Sequence, residues 1–239
     1  MKNFSVNIIT DLIIKNNIPT VIYVDTCIFL DIIRSPVRGS INNNEVSSAI
    51  DLLKLKNASN PKIIIVINET IKKEWDDNIK STIIHLEKEI RKANDAYRDI
   101  ISIYKNLNQD LTVNYLDLQH INLAVNLEKI SSNFLDNAYI LCREDGHSVN
   151  AMKRIFQNIL PAQKGKSEPK DCEIFEAFLD LSSALRKDKY QGDILFVTSN
   201  HHDYGKPGID SSLNEELDKI DSKLVNSLSW ALSISTENA

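Results

Sequence analysis

Four places in the chain put carboxylates directly after apolar runs or at the start of a helical segment. Asp25 closes the run Thr20-Val-Ile-Tyr-Val-Asp25, and Glu69 and then Glu74 follow Lys62-Ile-Ile-Ile-Val-Ile67 and Asn68. Asp171 stands in the first turn of a segment that starts at Pro169, with Glu173 and Glu176 behind it. Asp193-Ile-Leu-Phe-Val-Thr198 runs into Ser199, Asn200, His201, His202 and Asp203. In an open parallel sheet the ligand crevice lies beyond the carboxyl ends of the strands, so acids from distant positions can converge there. Carboxylates crowded in that way repel one another unless cations neutralise them. Hard oxygen donors without cysteine suit Mg²⁺ or Mn²⁺. One or two such ions would activate a water and stabilise the leaving oxygen of a phosphodiester.

The elements that must hold these residues follow from hydrophobic patterning. The runs 20–25, 62–67 and 193–198 are continuously apolar, as expected of strands buried on both faces of a parallel sheet. Helices are expected over 4–17, 26–34, 45–57, 132–142, 148–159, 169–187 and 212–223, with an edge strand over 226–234. From Asn68 to Leu107, Ile71, Trp75, Ile79, Ile83, Leu86 and Ile90 recur at spacings of three and four. Such a helix would be about 60 Å long, so it either projects or returns as a hairpin through 108–130. Strands alternating with helices imply an α/β fold, a parallel sheet between helical layers.

Composition narrows the alternatives. With six glycines and six prolines in 239 residues, an all-β sandwich or barrel lacks its turn residues. No glycine or proline interrupts the chain between Pro61 and Gly146, which favours long helices there. Cys27, Cys142 and Cys172 form no CxxC pair, which speaks against a disulfide framework or a cysteine zinc site and for a cytoplasmic protein. Asp11 and the asparagines break any apolar core at the N-terminus, so neither a signal peptide nor a membrane span is expected. GxxxxGK and GxGxxG are absent, which leaves nucleotide hydrolysis and dinucleotide redox chemistry without support. An aspartyl phosphatase would carry a second acid two residues beyond Asp25, where Cys27 stands.

The blocks VIYVDTCIFLD, IIIVINETIKKEW, KDCEIFEAF and DILFVTSNHHDY, in this order, resemble the PIN-domain nucleases, in particular the larger single-chain bacterial members with a helical insertion. The resemblance implies one three-layer α/β/α domain over 1–239, with its core at about 20–80 and 160–235 and the insertion at about 81–160. It further implies a metal-dependent, usually RNA-directed endonuclease. Asp25, Glu74 and Asp171 would bind the metal, with Glu69 competing for the second place. Asn200 stands where many members have Asp, and Asp203 could take its part. Thr26, Thr198, Ser199, Lys170 and His201 are the candidates for contacts to single-stranded RNA. A second copy or a protein regulator would be further partners. A toxin, a phage-defence nuclease and a housekeeping enzyme remain open, as does a weakened PIN-like module that only binds RNA or protein.

Structural roles compete for the same residues. Asp25 can cap a helix, Asp171 can complement a helix dipole, and Glu74 can belong to a solvated charged face. Glu176 reads as a surface acid, Trp75 and Trp230 as core, and His85, His120 and His147 as ordinary residues of the helical region. The net charge of −5 and pI near 5.6 oppose general attraction to nucleic acid. A local collar of Lys72, Lys73, Lys164, Lys166, Lys170, Lys206, Arg34 and Arg38 would have to supply it.

Overall fold

The computed structural model describes residues 2–39, 41, 44–107, 116–208 and 212–237. Among these, six parallel strands form one sheet in the order β1-β4-β3-β2-β5-β6. The three expected apolar runs become β2 (Thr20–Val24), β3 (Ile63–Asn68) and β5 (Asp193–Val197). β2 lies between the other two, with Ile22 opposite Ile65 on one side and Leu195 on the other. Every residue of β2 and β3 is buried, which is why their sequences show no alternation. The other strands, β1 (Asn3–Phe4), β4 (Tyr139–Leu141) and β6 (Lys223–Val225), extend the sheet on both sides.

Helices cover both faces, giving the three-layer α/β/α arrangement. On one face α1 (Val6–Lys15) packs on α7 (Pro169–Lys187), which α6 (Asp145–Gln157) flanks. Phe178 of α7 meets Tyr23 and Phe196 of the sheet, and Phe175 meets Phe196, at centroid separations of 5.1–5.5 Å. On the other face α3 (Glu45–Lys56) packs against α5 (Leu123–Asp136) and α10 (Leu228–Glu237). α2 (Thr26–Arg34) packs against α3, α5 and the long α4 (Glu69–Leu107).

α4 runs for 39 residues, about 60 Å of helix. Its return is a hairpin: a short 3₁₀ turn (Leu118–Ile121) and α5 come back along it. Asn94 Oδ1 accepts from Leu118 N at 2.9 Å, and Ala124 and Leu127 pack with Ile79 and Leu86. Residues 108–115, part of the span expected to make the turn, lie outside the described residues.

Several boundaries differ from expectation. The helix expected over 132–142 is the end of α5 followed by β4, because Tyr139-Ile-Leu141 pairs with both β1 and β3. The expected edge strand at 226–234 is helix α10. Ser227 caps it, its Oγ accepting from Trp230 N at 3.2 Å, and β6 already occupies that edge. The helix expected over 212–223 ends at Lys219 in α9 (Ser212–Lys219), and the first helix starts only after β1. α6 begins at Asp145, earlier than Ser148, because Glu144 and the buried His147 form a capping box around Gly146. Trp230 is 41% exposed and not core, whereas Trp75 packs against the core. None of the described helices is long and apolar enough to cross a membrane.

Candidate active site

The chain leaves β2 toward β3 and β4 on one side and returns to β5 and β6 on the other, so the strand order reverses beside β2. Ligand crevices of open α/β sheets form at such switch points. The backbone there stays in register past the strands, with Asp25 N donating to Val197 O and Thr198 N donating to Val225 O, both at 2.9 Å. Asp25 and Thr198 are thereby held side by side.

Asp25 is the N-cap of α2 and only 3% exposed. Its Oδ1 accepts from Thr26 N at 2.7 Å. Its Oδ2 accepts from Thr198 Oγ1 at 2.7 Å and Cys27 Sγ at 3.0 Å. Burial pushes this carboxyl above its usual range, against the pull of those three donors. Burial and the Asp25 charge push the Cys27 thiol up as well, so it stays protonated and donates. Sequence reading missed Cys27 as a site residue; its place two positions after Asp25 in a helical first turn was the available signal.

Glu74 reaches the same place from α4. Asn68 Oδ1 caps that helix at Ile71 N, and Trp75 Nε1 donates to Ser131 Oγ, which in turn donates to Phe29 O. With the helix so fixed, Glu74 Oε2 accepts from Thr26 Oγ1 at 2.8 Å. Its Oε1 lies 3.2 Å from Lys170 Nζ. Glu69 points elsewhere: it accepts from the Asn3 amide and, at 3.3 Å, from Arg143 N at the β1–β4 edge.

Asp171 enters from the first turn of α7, and Tyr204 donates to its backbone carbonyl at 3.2 Å. Burial, and then the charges of Asp25, Asp203, Glu74 and Glu168, push its carboxyl up to about 8. Asp203, in the short α8 (His201–Tyr204), is 5% exposed. It accepts from Asn200 Nδ2 at 2.8 Å and pairs with Lys166. Glu168, Asp171 and Asp203 each place a carboxylate oxygen within 4.8 Å of the others. Glu168 was not among the expected site residues. An acid at the N-cap of α7, three residues before Asp171, was the signal in the sequence.

The remaining expected residues take other positions. Thr26 and Thr198 donate to carboxylates of the cluster. Ser199 Oγ donates to Asp31 at 2.6 Å, in a neighbouring cavity that His201 also lines. Glu173 is buried and pairs with Arg143 at 2.8 Å. Glu176 is not a surface acid: its side chain is 12% exposed and pairs with the buried Arg154. Of the basic collar, Lys166 and Lys170 reach the cluster, Lys72 pairs with Asp76, and Arg34 and Arg38 approach Asp31.

Glu168, Asp171 and Asp203 form a wholly carboxylate-oxygen donor set that fits a hard divalent cation, and Asp25 and Glu74 lie near enough for their charges to act on Asp171. Burial first, and then four neighbouring acids, displace the Asp171 carboxyl upward, as expected where carboxylates crowd in a cleft. A family model described as PIN domain matches residues 22–204, a span that contains all five acids. No match was found among curated proteins or among solved structures.

Proposed function

From the premise that this chain belongs to the PIN-domain family, whose members are generally nucleases, we propose that it is a Mg²⁺- or Mn²⁺-dependent endoribonuclease. The observation that carries the reading is the gathering of Glu168, Asp171 and Asp203 within 4.8 Å of one another, with Asp25 and Glu74 acting on Asp171, at the switch point of the sheet. A bound divalent cation would supply water activation and neutralise charge on the scissile phosphate. Asp25, Glu74 and Asp171 are the residues proposed to hold it, with Asp203 in the fourth position. Three donors fix the Asp25 carboxylate and Thr26 orients Glu74, which holds these two oxygens in place before binding.

Asn200, which stands where many members have Asp, gives some weight to a weakened binding module. Here its amide orients the Asp203 carboxylate, which supports a working acid at that position. Lys166 and Lys170 sit on acids of the cluster, where their ammonium groups can pass to RNA phosphates as the acids take up metal. The three cysteines are free, which suits a reducing compartment such as the cytoplasm. The test is cleavage of single-stranded RNA by the full chain. Activity should need Mg²⁺ or Mn²⁺ and fall at least about 100-fold in Asp25→Asn and Asp171→Asn. Metal-dependent cleavage that survives both substitutions rules the mechanism out.

A further inference from the structure

Arg143 stands where the chain leaves β4, two residues beyond Leu141. β4 runs parallel to β3 with Leu141 opposite Asn68, so both strands end at the edge of the sheet that carries the acidic cluster. Two acids that the sequence offers beside the candidate metal ligands hold this arginine instead. Glu173, two residues after Asp171 on α7, lies 2.8 Å from its Nε. Glu69 Oε2 accepts from its backbone N at 3.3 Å, and Ser148 Oγ accepts from its Nη2 at 3.1 Å. Glu173 is 7% exposed, whereas the Arg143 side chain is 57% exposed. The contacts take Nε and one hydrogen of Nη2. Nη1 and the outer hydrogen of Nη2 have no hydrogen-bond partner among the described residues.

An ion pair buried on its acid side and open on its cation side holds a guanidinium ready for a further anion. Its planar fork matches two oxygens of a phosphate, and the buried partner fixes its direction. The place is specific. Lys170, three residues before Glu173 on α7 and also mostly exposed, lies 3.2 Å from Glu74 Oε1. Two exposed cations are therefore tied in place within a turn of Asp171. Burial, and then the charges of Asp25 and Glu173, push the Tyr23 hydroxyl well up, so Glu173 lies within electrostatic reach of the strand that leads into Asp25. With a net charge of −5 the chain has no general attraction for a polyanion, and any hold on one has to be local.

We propose that Arg143 is a phosphate anchor, whose free N–H groups hold a phosphate of the RNA strand that flanks the scissile one on the β4 side of the acidic cluster. The proposal rests on the nuclease reading for its substrate. A strand laid across the cluster carries phosphates beyond the one being cut, and contacts to them fix its register without reading its bases. Glu173 and Ser148 are positioning residues that hold the fork. This gives a role to Glu173, which follows Asp171 closely in the sequence yet turns to Arg143.

The test is equilibrium binding of short fluorescent single-stranded oligoribonucleotides to the full chain in chelator, over a range of salt. Arg143→Ala should weaken binding about 5- to 10-fold at low salt, the loss of one charge-assisted contact. The slope of log affinity against log salt should fall by about 0.7, one phosphate contact on a single strand. Both changes should be the same for oligonucleotides of different base composition. Arg143→Lys keeps the charge without the fork, so it should keep the wild-type slope and fall between the two in affinity. The loss should persist when Arg143→Ala is made in a Glu173→Gln chain. Mn²⁺ uptake should agree within about twofold between the Glu173→Gln chains with and without Arg143→Ala. A slope unchanged by Arg143→Ala, or a loss that disappears in the Glu173→Gln chain, overturns the anchor, because the arginine then only neutralises Glu173. A loss that depends on base composition overturns it too. The two readings fail separately. A chain that cuts RNA while Arg143→Ala binds it like the wild type removes the anchor only. A chain that binds RNA through Arg143 but cuts none with Mg²⁺ or Mn²⁺ removes the nuclease only.

Discussion

Replacing Asp171 by Asn should make the metal-free protein more stable at pH 8, although it removes a proposed metal ligand. The Asp171 carboxyl is pushed from 3.8 to about 8, first by burial and then by Asp25, Asp203, Glu74 and Glu168. A folded-state value raised above the unfolded one means that the folded chain keeps a proton the unfolded chain has released. Stability from this group is therefore full below about pH 4 and falls as pH rises toward 8. At about 1.4 kcal/mol per unit, the whole displacement corresponds to at most about 6 kcal/mol. The group is partly solvated and Lys166 and Lys170 are near, so a realized gain of about 2–3 kcal/mol is expected for Asp171→Asn. In a chain of this length that is about 5–10 °C in melting temperature. The assay is thermal unfolding of both proteins in chelator at pH 5 and pH 8. The gain should be full at pH 8 and smaller, about 1.5 kcal/mol, at pH 5, because the unfolded chain has released this proton above about pH 4 and each further pH unit adds to the cost until the folded carboxyl ionises. Adding Mn²⁺ at about 100 times its dissociation constant should then stabilise the wild type by about 3 kcal/mol and the variant far less. A difference between the two proteins that is the same at both pH values, or a variant less stable at pH 8, would refute the crowding argument.

Three further perturbations address the supports of the site. Thr198→Val removes a donor from a buried carboxylate and should cost about 1.5–3 kcal/mol in urea unfolding, with weaker Mn²⁺ binding. Phe196→Ala opens the aromatic cluster that also packs Tyr204, at a centroid distance of 4.9 Å. It should cost about 3–5 kcal/mol and loosen the contact of Tyr204 with Asp171, seen as a lower melting temperature and reduced Mn²⁺ uptake. Lys166→Met removes an ammonium that pairs with Asp203 and Glu168, so Mn²⁺ should bind about 3- to 10-fold tighter by calorimetry. Unchanged or weaker Mn²⁺ affinity in that variant would show that the lysine does not compete with the metal.

The central strands were legible because β2, β3 and β5 are buried on both faces and their sequences are unbroken apolar runs. The flanking strands were not, since Asn3–Phe4, Tyr139–Leu141 and Lys223–Val225 are too short to show any period and are strands only through their neighbours. Leu228–Glu237 mixes apolar and small polar residues in a way that periodicity alone leaves ambiguous, and a local serine cap decides it. In the site, Asp25 and Asp171 could be picked out because each directly follows or opens an element. Glu69 and Glu74 both follow β3, and only the packing of α4 through Trp75, Ser131 and Phe29 separates them. Glu168 and Cys27 stand at short spacings from Asp171 and Asp25, but only the tertiary geometry around α7 and β5 shows that their side chains join the cluster.

Carboxylates gathered at the end of β2 should hold a divalent cation, a property that Mn²⁺ titration of the full chain by calorimetry reads out. Uptake should be saturable at neutral pH and accompanied by proton release, because Asp171 must give up its proton to bind. That uptake should be lost in Asp25→Asn combined with Asp171→Asn. No saturable uptake by the wild type, or uptake that the double variant retains unchanged, would contradict it.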